Sequence, residues 1–142
     1  MHIILTTLSF FIVANLFAAN AGDKILGTYL TENNQSKVKF YKKDGKYHAK
    51  VVWLKEPNGK DSNPFLDKNN PNASLRSRKI VGITFISDLE YKDGEWVNGK
   101  IYIPEKGVFA NGGFKFLSDG DLQLRAKYMF IVNTKTWKKV KE

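Results

Sequence analysis

The segment FKFLSDGDLQL, residues 114–124, contains the pattern that decides the fold. Apolar and polar side chains alternate on both sides of an Asp119-Gly120 pair. Alternation with a period of two is typical of a half-buried β-strand, and Asp-Gly tolerates the positive φ of a tight hairpin turn. The segment therefore predicts two antiparallel strands that are joined by a short turn.

The same pattern recurs along the chain, where Asp44-Gly45 and Asp93-Gly94 also separate alternating runs. No run shows convincing helical periodicity. The predicted strands are residues 25–31, 37–42, 46–54, 80–86, 89–91, 95–103, 108–117, 122–128 and 134–140. A barrel closed on itself hides strand edges most completely. We predict an all-β fold, a single closed or nearly closed antiparallel up-and-down β-barrel of about eight strands.

The alternation also predicts which side chains face the barrel interior. In residues 37–40 the lysines point one way, and Val38 and Phe40 point the other way. An outer-membrane barrel would need apolar side chains outside, so this alternative is disfavoured.

An eight-stranded barrel is either filled by side chains or holds one small ligand. Small residues opposite the aromatic ones favour a cavity. The predicted ligand-binding residues of the interior are Tyr29, Phe40, Trp53, Phe85, Ile101, Phe114, Phe116 and Tyr128.

The first residues predict export. Residues 1–21 contain no Lys, Arg, Asp or Glu, and they end in the small-x-small pattern Ala19-Asn20-Ala21 that signal peptidase accepts. A membrane anchor is the alternative, but the apolar core is short for a membrane span. We predict a signal peptide at residues 1–21, a barrel domain at residues 22–142, and a bacterial periplasmic or secreted location. The chain has no Cys, so this domain must be stable without disulfides.

The sequence offers few groups for catalysis. There is no Cys, and residues 22–142 contain one histidine, His48, which alternation turns outward. No Gly-x-Ser-x-Gly motif presents a serine nucleophile. A single imidazole without thiolates is a poor basis for a transition-metal site. We therefore expect no enzyme, no metal site and no cofactor.

The net charge of +9 limits the partners. Export from the cytoplasm argues against a nucleic acid as the partner of the basic residues. An anionic envelope surface is compatible with the charge, and so is a role in solubility alone. The basic side chains expected on one face are Lys37, Lys39, Lys42, Lys43, Lys50, Lys138 and Lys139.

A long polar segment, residues 55–78, interrupts the strands. It is too long and too rich in Asn, Pro, Asp and Lys for a hairpin turn, so we expect a solvated lid over one mouth of the barrel. The oxygens of Asp61, Asn63, Asp67 and Asn70 suit calcium, but the lysines of the loop balance its acids. The lid is the favoured interpretation.

Several motifs resemble a known family. These are Trp53-Leu54-Lys55, Asn63-Pro64, Asp67-Lys68, Arg78-Lys79-Ile80-Val81-Gly82, Trp96, Gly99-Lys100-Ile101, Pro104, Gly107, Leu124-Arg125 and Thr136-Trp137. Together they are similar to domain of unknown function 2147, a family of small exported bacterial proteins. The resemblance implies a lipocalin-like (calycin) barrel. Leu66 and Asn69 stand where many members carry a Cys pair, so no disulfide is implied here.

The resemblance also implies residues that close or orient the barrel. Gly27-Thr28-Tyr29 takes the place of the Gly-x-Trp signature on a calycin first strand. Arg125 is expected to close the barrel end over the ring of Tyr29 by cation–π stacking. The expected barrel-closing or orienting residues are Gly27, Tyr29, Arg125 and Trp137.

Two functions remain open at this point. The first is a non-enzymatic lipocalin-like carrier or sensor that holds a small, largely apolar or amphipathic ligand in the barrel. The second is an interaction module that uses a filled barrel as a scaffold. Its contacts with an envelope component or a protein would come from the basic face or the 55–78 loop.

Overall fold

The computed structural model describes residues 21–55 and 65–141. Residues 1–20 of the predicted signal peptide lie outside this range. Eight antiparallel strands form a closed barrel, in which each strand pairs with its sequence neighbours and β8 pairs with β1. The strands are β1 Gly27–Leu30, β2 Ser36–Lys43, β3 Lys46–Leu54, β4 Thr84–Lys92, β5 Glu95–Ile103, β6 Val108–Phe116, β7 Leu122–Tyr128 and β8 Ile131–Lys139. The predicted closed up-and-down barrel is confirmed.

Strand β4 differs from its prediction in two places. The predicted strands 80–86 and 89–91 form one strand, because a bulge at Asp88 (φ 64°) shifts the register without ending the pairing. Residues 80–83 form a turn before the strand. Gly82 has a φ of 101° there, and its amide donates to the Val51 carbonyl over 2.7 Å. Period-two patterning alone does not reveal either the bulge or the turn.

The two ends of the barrel are built differently. The closed end carries the short turns around residues 44–45, 93–94 and 118–121, together with the 3-10 helix Gly22–Ile25. The open end carries the connections 31–35, 55–83, 104–107 and 129–130. A second 3-10 helix, Ala73–Leu75, belongs to the longest of these connections. No helix within the described ranges is long and apolar enough to span a membrane.

The first 3-10 helix plugs the closed end. Ile25 is completely buried among the core side chains. The indole Nε1 of Trp96 donates a hydrogen bond to the Gly22 carbonyl over 3.0 Å. A Cβ on Gly22 would overlap the ring of Tyr47, so the chain approaches the barrel more closely than a larger residue would allow. The strands are therefore covered at this end by backbone and by Ile25.

A charged cluster on the surface holds the same helix. The Asp23 carboxylate accepts hydrogen bonds from the Tyr47 hydroxyl over 2.6 Å and from Lys42 Nζ over 3.0 Å. The hydrogen bonds from Tyr47 and Lys42 lower the pKa of Asp23, and the one from Tyr47 has the larger effect. Burial, and then the neighbouring Asp23 carboxylate, raises the pKa of Tyr47. The 3-10 helix is thereby attached to β2 and β3.

Aromatic rings fill the interior near the closed end. Phe40 lies at the centre, with edge-on contacts to Tyr29 and Phe114 at centroid distances of 5.4 and 5.2 Å. Trp96 makes a further edge contact with Phe116 at 5.5 Å. Such T-shaped pairs contribute about 0.5–1.5 kcal/mol each beyond the area that they bury. This half of the barrel is a packed core.

Candidate functional site

The interior of the barrel is hollow towards the open end. A cavity of about 250 Å³ lies there and opens between the connections of that end. Its walls are apolar side chains from six strands, namely Val38, Val51, Phe85, Ile101, Leu124, Ala126 and Trp137. Polar groups occur at its mouth, namely Thr31, Ser36, Glu105, Asn133 and Lys135. The arrangement is an apolar pocket with a polar rim, which is the usual form of a small-molecule site.

The cavity exists because inward side chains become smaller towards the open end. On β2 the inward residue changes from Phe40 to Val38, and on β7 it changes from Leu122 to Ala126. Successive inward residues of a strand lie two positions apart, so each change acts at a new level of the barrel. The strands continue to the mouth, but the side chains no longer meet across the interior.

Trp137 forms the floor of the cavity. Its ring packs against Phe114, Phe40 and Phe85 at centroid distances of 5.2, 6.3 and 6.4 Å. Its Nε1 is buried and has no acceptor within the described part of the chain. A buried N–H without a partner costs about 1–3 kcal/mol. Trp137 therefore joins an apolar floor to one unused hydrogen-bond donor.

Tyr29 carries the second unpartnered polar group. The side chain is buried, and the hydroxyl has no hydrogen-bond partner among the described residues. Burial raises the pKa of Tyr29 to about 12, so the phenol stays neutral at physiological pH. The ring contacts Phe40 behind the cavity floor. Tyr29 does not line the cavity itself.

The predicted interior residues divide into those that line the cavity and those that support it. Phe85 and Ile101 line it directly. Phe40 and Phe114 lie behind the floor and hold the ring of Trp137. Ligand contact by Phe85 and Ile101 stays a prediction, while the structure gives Phe40 and Phe114 a packing role.

Two further predicted residues are half-buried and do not line the cavity. Phe116 lies at the closed end, where Lys24 Nζ is 4.7 Å from its ring centroid. Tyr128 packs against the core at the end of β7. Alternation correctly gives both an inward direction, but it does not reveal the level in the barrel at which the interior becomes hollow.

The prediction that Trp53 faces the interior is wrong. Strands β2 and β3 pair Val38 with Val51 but Lys37 with Trp53, so a bulge at Val52 adds one residue to β3. The extra residue reverses the faces beyond it. Trp53 lies on the outer surface, and Lys37 Nζ is 5.4 Å from its ring centroid.

The expected closing contact between Arg125 and Tyr29 is also wrong. Arg125 is exposed on β7, because its neighbour Leu124 takes the inward position. The cation over the Tyr29 ring is Lys139, with Nζ 5.8 Å from the centroid. Gly27 lies beside the same lysine with a φ of 129°, a conformation that favours glycine. Lys139 thus takes the place assigned to Arg125, and a role of Gly27 in closing the barrel stays a prediction.

The end of the long connection is tied down at the mouth. Residues 65–80, which we name the strap, contain the buried carboxylate of Asp67. This carboxylate accepts hydrogen bonds from the Tyr102 hydroxyl, from Asn70 Nδ2 over 2.8 Å and from Arg78 Nε over 3.0 Å. Asn69 Nδ2 also donates to the Glu105 carbonyl over 2.9 Å. The strap is therefore attached to the β5–β6 connection.

The buried carboxylate is held in its charged form. Burial alone would raise the pKa of Asp67, but hydrogen bonds from Tyr102, Asn70 and Arg78 outweigh it and lower the pKa. Burial, together with the hydrogen bond to Asp67, raises the pKa of Tyr102 to about 12. The sequence predicted a lid at the mouth but a solvated one. The structure gives its Asp67–Asn70 part a buried anchor instead, while Asp61 and Asn63 lie outside the described residues.

A second concavity lies on the outer surface. It is a groove of about 540 Å³ over Gly112 and Gly113, flanked by Lys115, Arg125 and Lys127. Its lining consists of outward-facing and backbone groups, so it encloses a small ligand less completely than the interior cavity. Enclosure decides how much ligand surface is buried, and the interior cavity is therefore the candidate site.

The groups that could serve catalysis lie away from the cavity. His48 is on the outer face of β3, stacked on Tyr41 at 5.4 Å, and its Nδ1 accepts a hydrogen bond from the Asp88 amide. Within residues 21–55 and 65–141 no three His, Cys, Asp or Glu side chains cluster in a way that would hold a metal ion. The outward direction predicted for His48 is confirmed.

Comparison with protein families gives a match over residues 27–139, which is the whole barrel. The matched family is described as uncharacterised proteins conserved in bacteria (DUF2147). The chain belongs to this family. The resemblance inferred from the motifs is thereby confirmed.

A solved structure supports the lipocalin-like fold. HP1028 from the human pathogen Helicobacter pylori, which is described as belonging to the lipocalin family, has 29% sequence identity and a TM-score of 0.71. The match covers 83% of this chain and 84% of HP1028. A search of curated protein sequences found no significant match. A lipocalin-like barrel suggests ligand binding and is typically non-enzymatic.

Proposed function

We propose that this protein is an exported, non-enzymatic carrier or sensor that holds one small apolar or amphipathic molecule in the open half of its barrel. The observation that carries the proposal is the cavity of about 250 Å³ with apolar walls and a polar rim. A barrel that served only as a scaffold would gain stability from filling this space, because cavities in a core are destabilising.

The volume limits the size of the ligand. An apolar cavity of about 150 Å³ accepts benzene, so by proportion this one suits roughly ten non-hydrogen atoms. A straight chain of eight to ten carbons or a bicyclic aromatic molecule is of about that size. At about 0.7 kcal/mol per atom, which lies between the limits for tiny and drug-sized ligands, the Kd would be about 10 µM.

The polar groups suggest how the ligand is oriented. Trp137 lines the cavity and its Nε1 has no partner among the described residues, so we propose that a carbonyl or hydroxyl oxygen on the inner part of the ligand accepts a hydrogen bond from it. Lys135 and Glu105 lie at the mouth and suit a polar outer end. This pattern favours an amphipathic molecule with an oxygen function over a pure hydrocarbon.

The proposal includes export to the bacterial periplasm or to the medium. The uncharged apolar start and the Ala19-Asn20-Ala21 pattern support cleavage after Ala21. A barrel that carries apolar molecules would be useful in the aqueous space beyond the cytoplasmic membrane, where such molecules dissolve poorly.

Filling the cavity tests the function. Ala126 lies on the cavity wall, so Ala126→Leu should occupy part of the space and weaken binding at least about tenfold. The ligands are straight-chain alcohols from hexanol to hexadecanol, with Kd measured by isothermal titration calorimetry on protein purified without them. We expect the tightest binding near eight to ten carbons.

The matched control is Gln123→Leu, which adds a leucine to the opposite face of the same strand. This variant should bind the alcohols with unchanged Kd. Absence of binding for every chain length, or equal binding by wild type and Ala126→Leu, would refute the carrier and support a scaffold. Thermal unfolding of both variants shows whether they fold.

A further inference from the structure

The exposed apolar side chains are distributed unevenly over the barrel. In the described part of the chain, all eight large hydrophobic residues with high exposure lie near the open end. They are Trp53, Phe65, Val81, Phe109, Met129, Phe130, Ile131 and Val132. Single exposed apolar residues are normal on a protein surface, but their concentration at one end is a sign of an interaction site.

Half of this set forms one continuous tip. Strands β7 and β8 are joined by a two-residue turn, in which Tyr128 pairs with Ile131 and Met129 has a φ of 52°. The side chains of Met129, Phe130 and Ile131 are 68%, 96% and 60% exposed. The residues that usually occupy a hairpin turn are Asn, Asp and Gly, not large apolar ones. We name residues 129–132 the tip.

Basic residues surround the tip, and acidic ones are rare near it. The tip and the adjoining parts of β7 and β8, residues 125–135, contain three basic and no acidic side chains. Arg125 and Lys127 are exposed on β7, and Lys135 on β8 has Glu32 at 4.0 Å as its partner. Two of the other exposed aromatic residues at this end also have lysines over their rings, Lys37 on Trp53 and Lys100 on Phe109. At the open end the tip is therefore apolar, and the surface around it carries positive charge.

This combination determines the kind of partner. A lipid bilayer with anionic head groups offers an apolar interior beneath a negative surface, so it matches both features at once. A second copy of the chain would match the apolar tip but would bring the basic residues beside one tip against those beside the other. The charge complementarity therefore favours the bilayer over self-association.

We propose that the open end docks on an anionic lipid bilayer, with the tip inserted among the head groups and with Arg125, Lys127 and Lys135 on the lipid phosphates. The tip belongs to the hairpin whose residues Ala126, Asn133 and Lys135 line the cavity. Docking in this orientation turns the mouth towards the membrane. Membrane docking does not depend on the carrier function, and either one can fail without the other.

Sedimentation with lipid vesicles tests the docking. The full protein is mixed with sucrose-loaded vesicles of phosphatidylcholine alone or with about one third phosphatidylglycerol, which supplies the negative surface. We expect binding to the anionic vesicles that weakens with salt, and little binding to the neutral ones. The double variant Phe130→Ser with Ile131→Ser should bind at least about tenfold more weakly, because it removes two apolar side chains from the inserted part.

A pair of charge variants tests the position of the contact. Arg125→Gln with Lys127→Gln removes two charges beside the tip, whereas Lys43→Gln with Lys92→Gln removes two at the closed end. The first pair should weaken binding to anionic vesicles at least about tenfold, since each basic residue near the surface contributes about 1 kcal/mol. The second pair should stay within about twofold of wild type. All four positions are exposed, and thermal unfolding checks that each variant folds.

Three outcomes would overturn the proposal. The first is absence of wild-type binding to anionic vesicles. The second is equal weakening by the two charge pairs, which would indicate diffuse attraction by net charge. The third is a dimer in lipid-free analytical ultracentrifugation that Phe130→Ser with Ile131→Ser abolishes, which would assign the tip to contacts between copies.

Discussion

The closed and open ends of this barrel are made by the same eight strands, but they differ in what covers them. At the closed end a 3-10 helix, Ile25 and a set of aromatic rings leave a packed core. At the open end smaller inward residues leave a cavity. The exposed large apolar residues of the described chain also lie at this end, on the outer surface. One half of the barrel is therefore a packed core, and the other half carries the candidate site.

The strongest test of this comparison uses the same residue type at both ends. Trp96 is buried at the closed end and donates to Gly22, whereas Trp53 is half exposed near the open end. Trp96→Ala should lower the free energy of unfolding by about 3–5 kcal/mol, because it leaves a cavity in the packed core. Trp53→Ala should lower it by less than about 1 kcal/mol. Urea unfolding measures both, and similar losses would contradict the division.

The second test concerns the strap and its pH dependence. Asp67→Asn removes the charge that Arg78 and Tyr102 stabilise, and it should cost about 2 kcal/mol at pH 7. The folded pKa of Asp67 is lowered, so its contribution is complete above the ordinary carboxyl pKa near 4 and is lost as pH falls through the lowered value. The difference in stability between wild type and Asp67→Asn should therefore shrink below about pH 4.

Asp23→Asn is the control for this titration. Asp23 lies at the closed end and also has a lowered pKa, but it is partly exposed. Its replacement should cost less than that of Asp67, because solvent screens exposed pairs. Unfolding curves from pH 3 to pH 7 separate the two carboxylates. A pH-independent difference between wild type and Asp67→Asn would show that the strap is not held by a charged Asp67.

The smallest expected effect concerns the Nε1 donor of Trp137 at the cavity floor. Trp137→Phe keeps an aromatic ring but removes the Nε1 donor. Binding of 1-octanol should weaken about two- to tenfold more than binding of octane, since only the alcohol can accept the hydrogen bond. Both ligands experience the same change in cavity size. Dividing the change in Kd for 1-octanol by that for octane therefore removes this contribution. Equal effects in calorimetry would mean that Nε1 does not meet the ligand.

Much of the fold follows from sequence patterns, and the exceptions have a physical cause. Alternation and Asp-Gly turns predicted seven of the strands closely, and they gave Phe85 and Ile101 their inward positions. The errors at Trp53 and Asp88 come from bulges, because one added residue reverses every later face. A bulge depends on pairing with a distant strand, so local alternation cannot reveal it.

The candidate site was harder to predict than the fold. The cavity walls include Val38 and Leu124, which share the inward alternation but were not distinguished from ordinary core residues. The buried Asp67 with Tyr102 on β5 was missed as well, because the two lie 35 residues apart. Arg125 was misplaced because its role came from a resemblance, while its neighbour Leu124 already occupied the inward position.

The plug at the closed end has a consequence for the kinetics of exchange. Gly22, Ile25 and Trp96 cover that end, so the ligand of the proposed carrier would enter and leave the cavity through the mouth. A cavity sized for about ten atoms has no room for a newcomer beside a resident molecule. Exchange in the proposed carrier would then be dissociative, with a replacement rate that is set by departure of the resident ligand and is independent of competitor concentration.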